Sequence, residues 1–300
     1  MKTIKPWLSA FRLRTLPLSI SGIIVGSCFA HFNGFFNIYI FLLAILTTIC
    51  LQILSNLAND YGDGIKGTDN EQRIGPERAI QSGAITSHQM FEAIKINILL
   101  AIVLSFSLIY LSFGQGHFLY VLVFFFLAGA SIIAAMNYTM GNKAYGYRGL
   151  GDLFVFIFFG LLSVIGSYFL YTKHLDHLIV LPSIVIGLLS VGVLNLNNMR
   201  DIENDKQAGK ITLAVRLGPR LAKMYHKSLI ISAMIISLIF GVLYYKSPSN
   251  LLFLIAFLPL SIHLKKINEV TSPKDYDPQL KVLALSTFIL SILLGVGYIL

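Results

Sequence analysis

Nine stretches of this chain are apolar for about 20 residues each, the length an α-helix needs to cross a hydrocarbon layer of roughly 30 Å. They lie near residues 15–32, 38–59, 94–113, 118–137, 153–171, 178–199, 228–245, 250–264 and 281–299. Lipid offers no water to open backbone, so such segments must be helices, and the long-range alternation of a membrane β-barrel is absent. A chain that is 56% hydrophobic and 12% charged, with a mean hydropathy of +0.75, is no ordinary soluble domain. The expectation is an all-α polytopic membrane protein of about nine transmembrane helices, one integral-membrane domain over residues 1–300. The eighth segment is the weakest, short and carrying Pro259, although a packed membrane helix tolerates proline. The first apolar run follows Arg12 and Arg14 and continues as a normal first span, so no cleavable signal peptide is expected.

Charge sets the orientation, because short loops rich in Lys and Arg stay in the cytosol. With the N-terminus inside, only Lys173 and Lys246 of the 23 basic residues fall on the outer side. The net charge of +9 then reflects topology and contact with anionic lipid, not nucleic-acid binding. Cys28 and Cys50 both lie in apolar spans and read as helix-packing residues, and the seven His are too scattered for a zinc or di-iron site.

Of 14 acidic residues, eight occupy two short segments: Asp60, Asp63, Asp69, Glu71 and Glu77, then Asp201, Glu203 and Asp205. Each segment begins where an even-numbered helix, the second or the sixth, leaves the membrane, so both emerge on one face. At 3.6 residues per turn, Gln52, Asn56, Asn59, Asp60 and Asp63 share a helical face, and Asn198, Asp201 and Asp205 share another. The stripes start inside the spans, at Gln52, Asn56 and Asn195, where polar side chains carry a cost that function usually explains.

Carboxylates crowded on one helical face repel unless a cation lies between them. Oxygen ligands without Cys or His select Mg2+ or a similar hard ion, which completes its shell with water and phosphate oxygens. The candidate ligands are Asn56, Asn59, Asp60, Asp63, Asp69, Asn198, Asp201 and Asp205, with Asp63, Asp201 and Asp205 catalytic in the same sense. Lys66, Arg73, Arg78 and Lys210 are placed to touch a diphosphate directly. A diphosphate met at the mouth of a lipid-embedded helical cavity is most economically a polyprenyl diphosphate. Its allylic C–O bond would ionise with the metals neutralising the leaving group, and aromatic ring faces would stabilise the cation.

At this point the residues resemble the UbiA-type intramembrane prenyltransferases, which carry N-D-x-x-D-x-x-x-D after the second helix and D-x-x-x-D after the sixth. Asn59-Asp60-Tyr61-Gly62-Asp63 matches the start of the first motif and Asp201-Ile202-Glu203-Asn204-Asp205 the second, followed by Gly209-Lys210. The departure is Gly67, where the common pattern has Asp; the next acid is Asp69. The spacing from Asn59 through Asp63 and Asp69 to Arg73 is similar to the branch that prenylates 1,4-dihydroxy-2-naphthoate in menaquinone synthesis. Phe11-Arg12-Leu13-Arg14-Thr15-Leu16-Pro17, Gly75-Pro76-Glu77-Arg78, Tyr138-Thr139, Tyr145-Gly146-Tyr147 and Gly149-Leu150-Gly151-Asp152 agree with that branch. The 4-hydroxybenzoate branch instead has an Arg-Pro-Leu run at Glu77-Arg78-Ala79.

The resemblance implies nine helices around a central cavity and a Mg2+-dependent transfer of a polyprenyl group to the naphthoate with loss of CO2. It also implies the cytoplasmic membrane of a bacterium, with the site open to the cytosol. An anionic, electron-rich acceptor would need a cation and hydroxyl partners. Arg14, Asn137, Tyr138 and Arg148 are candidates, and Asp152 would orient a loop Arg or help deprotonate the acceptor. Two alternatives remain open. One is a 4-hydroxybenzoate-type acceptor. The other is a cation-coupled transporter, which would place its acids near the bilayer centre in interrupted helices.

Overall fold

The computed structural model describes residues 4–70, 74–114 and 116–300. Among them nine helices are long and apolar enough to cross a membrane, running Ile4–Phe32, Ile38–Ile65, Ser87–Phe113, Phe118–Asn137, Gly151–Thr172, His177–Arg200, Leu213–Leu243, Pro248–Glu269 and Pro273–Ile299. No strand occurs among the described residues. Several helices overrun their apolar segments. The second continues past residue 59 to Ile65, and the third begins at Ser87 behind a capping box made by Thr86 and Gln89. The seventh begins at Leu213 behind the Thr212 cap and kinks where Gly218 (φ 74°) precedes Pro219. Hydropathy ends where polar side chains begin, whereas backbone hydrogen bonding ends at a cap. The eighth opens as a 3-10 helix over Pro248–Ala256 and becomes α-helical over Phe257–Glu269. Pro259 thus falls in a first α-helical turn, where its missing N–H costs little.

Lipid provides no hydrophobic drive between helices, so close approach depends on small residues. A Cβ on Gly22 would lie 3.1 Å from Phe159 O and one on Gly26 2.5 Å from Val164 O, so the first and fifth spans pack backbone to backbone. A Cβ on Gly160 would lie 2.6 Å from Gly187 Cα, which locks the fifth span against the sixth. The fourth span packs on the second and third and turns Phe118, Phe125 and Phe126 outward, as a lipid-facing surface requires. In the C-terminal half, His226 Nε2 and His263 Nε2 lie 2.9 Å apart, and His263 Nδ1 lies 2.9 Å from Gln279 Oε1. This buried polar chain ties the seventh, eighth and ninth spans.

Candidate active site

Both acid-rich helix ends lie at the same end of the bundle, where the loops behind them are joined. Gly67 (φ 70°) takes the left-handed position that ends the second helix, and the Thr68 and Asp69 N–H groups turn back to Asp63 O at 3.0 and 3.4 Å. That conformation explains why Gly stands where the common pattern has Asp, and it folds Asp69 inward to a buried position. Gly209 (φ 71°) ends the short helix Ile202–Gln207 in the same way, with Lys210 N donating to Asp205 O at 2.7 Å. Asn204 Nδ2 donates to Thr68 O at 2.9 Å, and Ile211 N to Tyr147 O at 3.1 Å. The loops after the second, fourth and sixth spans are therefore stitched into one unit.

At its centre is the buried Lys210, whose Nζ lies 3.4 Å from Asp63 Oδ2 and 3.7 Å from Asp205 Oδ1. One ammonium thus bridges the two motifs. Tyr147 OH donates to Asp63 Oδ1 at 2.7 Å, which leaves its oxygen to accept from Thr68 Oγ1 at 2.6 Å. Burial opposes the charge on Lys210, but Asp63 and Asp205 outweigh it and hold the ammonium above the usual lysine range. Burial pushes the Asp205 carboxyl up to about 7, with Lys210 pulling the other way. Burial and Asp63 also raise the Tyr147 phenol, which keeps it a hydrogen-bond donor.

A cavity of about 360 Å³ opens from this unit into the bundle. Asn59, Asp63, Asp69, Arg78, Asp201, Asp205 and Lys210 line its charged end. Leu108, Phe124, Phe158, Leu162 and Leu170 line its apolar reach toward the opposite end of the helices. Such a chamber is built for a molecule with an anionic head and a long apolar body. Asn56, Tyr138 and Asn198 line it too.

Other candidates lie elsewhere. Asp60 is buried behind the stripe, and its Oδ2 accepts from Ala79 N at 3.3 Å, so it ties Ala79 to the second helix. Lys66 Nζ donates to Thr139 O at 2.6 Å and lies 4.1 Å from the centroid of the Tyr147 ring. Asp152 accepts from Tyr225 OH at 3.0 Å and is not among the cavity-lining residues. Arg14, Asn137 and Arg148 are exposed, and Arg14 Nη1 lies 3.9 Å from Asp277 Oδ2. Arg73 lies outside the described residues.

The polar donors at the charged end suit a hard divalent ion. They are oxygens, and the buried Asn204 Oδ1 has no hydrogen-bond partner and belongs to a residue lining the cavity. Among the described residues, no three His, Cys, Asp or Glu side chains already converge on one ion position. An ion there would draw its ligands from both motifs.

The profile of the UbiA prenyltransferase family matches residues 19–297. The chain belongs to that family. It is similar to the 1,4-dihydroxy-2-naphthoate octaprenyltransferase of Escherichia coli (strain K12), 45% identical over 83% of this chain and 80% of that one. The protein of the same name from Haemophilus influenzae (strain ATCC 51907 / DSM 11121 / KW20 / Rd) is 41% identical over 98% of this chain and 96% of that one. Among solved structures, a UbiA homolog from Archaeoglobus fulgidus bound to DMAPP and Mg2+ superposes with a TM-score of 0.65 at 13% identity, over 97% of this chain and 99% of that one. The apo UbiA homolog from Aeropyrum pernix K1 gives 0.65 at 16% identity, over 96% and 98%. These establish the all-helical UbiA fold.

In this UbiA-family chain, four residues outside the expected set shape the charged end: Arg200, Tyr147, Thr68 and Asn204. Arg200, almost fully buried, holds both Asp201 oxygens at 2.9 and 2.7 Å and also pairs with Asp277 of the ninth span. By charge alone it counts only as a basic residue at the end of a span. Tyr147 stands in a motif but reveals its role only through its contact with Asp63. Thr68 and Asn204, which join the two motifs, carry no sequence signal beyond their places beside the acids.

Proposed function

We propose that this prenyltransferase-family protein transfers a polyprenyl group from polyprenyl diphosphate to 1,4-dihydroxy-2-naphthoate with loss of CO2, forming demethylmenaquinol in menaquinone biosynthesis. It would do so as one integral-membrane domain over residues 1–300 in a bacterial cytoplasmic membrane, with the charged end facing the cytosol. The observation that carries the reading is a single cavity with Asp63, Asp201, Asp205 and Lys210 at one end and aliphatic and aromatic side chains at the other. Relatives named for this reaction over most of the chain's length support the choice of acceptor.

The residues divide the work. Lys210 and Arg78 bind diphosphate oxygens, and the apolar reach of the cavity takes the prenyl tail. Mg2+, held by Asp63, Asp69 and Asp205 with Asn59 and Asn198, and by Asp201 if it shares its oxygens with Arg200, would supply positive charge against the departing diphosphate. The allylic C–O bond breaks with its electron pair leaving on the diphosphate. The ring carbon that bears the carboxylate forms the new C–C bond, and the pair from the broken C–CO2 bond returns to the ring. The apolar walls would exclude bulk water and so protect the allylic cation from hydrolysis. Tyr138 and Phe158, which line the cavity, would stabilise it through their rings.

The test offers membranes containing the protein Mg2+, a polyprenyl diphosphate, and dihydroxynaphthoate together with 4-hydroxybenzoate. Mass spectrometry should find prenylated, decarboxylated naphthoquinol. Turnover of 4-hydroxybenzoate with the naphthoate untouched would reject the assignment.

A further inference from the structure

The Mg2+ and diphosphate chemistry engages one anion, yet the acceptor carries a second, its carboxylate. Besides Arg78 and Arg200, a third arginine, Arg12 of the N-terminal segment, lines the cavity. The N-terminal helix Ile4–Phe11 does not run straight into the first span. Between them Arg12 adopts a left-handed backbone (φ 48°, ψ 54°), a conformation disfavoured for a residue with a Cβ and found where surrounding structure enforces it. The enforcing contacts are specific. Asn56 Nδ2 donates to Phe11 O at 2.9 Å and to Thr15 Oγ1 at 3.3 Å, and Thr15 Oγ1 donates to Arg12 O at 2.9 Å. Gln52 Nε2 in turn donates to Asn56 Oδ1 at 3.2 Å. The polar stripe inside the second span therefore clamps an elbow, and this employs the Asn56 amide away from any ion.

The elbow sorts two arginines. Arg12 lines the cavity, with Thr15 and Asn56 beside it, whereas Arg14 is exposed on the outside near Asp277. Asn56 lies seven residues before Asp63 on one helix, a rise of about 10 Å toward the membrane interior. An anion engaged beside Asn56 is thus separate from one engaged between Asp63 and Lys210. A guanidinium suits a planar carboxylate, which it meets with two parallel hydrogen bonds.

We infer that Arg12, fixed by the Gln52–Asn56–Thr15 clamp, binds the carboxylate of the aromatic acceptor and so selects acids over neutral hydroquinones. This rests on the acceptor-prenylating function proposed above. The shared chemistry is anion recognition, with the acceptor carboxylate and the diphosphate as its two sources. Steady-state kinetics on Arg12→Gln and Arg12→Lys in native membranes separates them. Expected is at least a tenfold rise in KM for dihydroxynaphthoate in R12Q, with KM for the prenyl diphosphate within twofold of the parent. R12K should fall between, keeping charge without the planar fork. 1,4-Dihydroxynaphthalene, which lacks the carboxylate, should inhibit parent and R12Q with equal Ki. A rise in KM for the prenyl diphosphate instead, an unchanged acceptor KM in both variants, or a parallel loss of naphthalenediol binding would each overturn the inference. If R12Q does not accumulate, the R12K acceptor KM and Ki decide alone. A parent protein that ignores dihydroxynaphthoate would instead refute the function itself.

Discussion

Replacing Lys210 with Met should lower stability when divalent ions are withheld and do so much less when they are supplied. Lys210, Asp63 and Asp205 are 9%, 7% and 3% exposed, so the ammonium compensates two carboxylates that water hardly reaches. Removing one partner from a buried ion pair costs about 3–5 kcal/mol. The Tyr147 hydroxyl remains on Asp63, and Asp205 is already pushed up to about 7 and takes a proton readily, which together reduce the expected cost to about 2–3 kcal/mol. At about 2–4 °C per kcal/mol for a chain somewhat shorter than this one, the variant should melt roughly 5–10 °C below the parent in chelator. A divalent ion among the same oxygens would replace the missing charge, so most of that gap should close with saturating Mg2+ and inorganic diphosphate. The assay is thermal unfolding of both proteins in detergent, read by thiol-reactive dye or aggregation. Equal melting temperatures in chelator, or an equal gap in both conditions, would refute the reasoning that Lys210 stands at a cation position between the motifs.

Tyr147→Phe removes a donor to the Asp63 carboxylate, worth about 1.5–3 kcal/mol when charged; turnover should fall at least tenfold and the melting temperature by roughly 3–10 °C, and kinetics beside unfolding curves check this. Asp63→Asn should lower kcat about 100-fold or more as an electrostatic stabiliser is lost. Asp60→Asn, whose contact is with the Ala79 N–H, should act mainly on stability, and single-turnover rates of the two variants separate the roles. Gly160→Ala should destabilise by about 1–3 kcal/mol because the new methyl meets Gly187 Cα at 2.6 Å, whereas Gly129→Ala, with no atom within 4 Å, should be neutral or stabilising on unfolding.

The fold was largely legible because its determinants are local: a span is a run of apolar residues, and nothing distant alters that. Helix limits were less so, since Thr86, Thr212 and Gly67 end or begin helices through hydrogen bonds and backbone angles that hydropathy does not register. Periodicity correctly grouped Asn56, Asn59 and Asp63 on one face, all lining one cavity, but it does not say what lies against that face. Asn56 lines the cavity with the other expected ligands, and its amide nitrogen engages the N-terminal elbow, a contact that periodicity does not register. The same elbow parts Arg12, which lines the cavity, from Arg14, which is exposed, because the left-handed Arg12 turns the chain at that point. The place of Asp152 at a helix start suggests acceptor chemistry but not its partner Tyr225, which comes from a span far along the chain. Contacts of that kind are set by tertiary packing and leave no local trace.

Everything proposed for the reaction depends on the two acid motifs sharing one ion and diphosphate assembly. Anomalous diffraction from crystals grown with Mn2+ and a non-hydrolysable prenyl thiodiphosphate locates both the ions and the sulfur directly. The expected map has Mn2+ between the Asp63 and Asp205 carboxylates, with the diphosphate bridging it and Lys210 turned onto a phosphate oxygen. Mn2+ confined to one motif, or a diphosphate bound away from both, would contradict it.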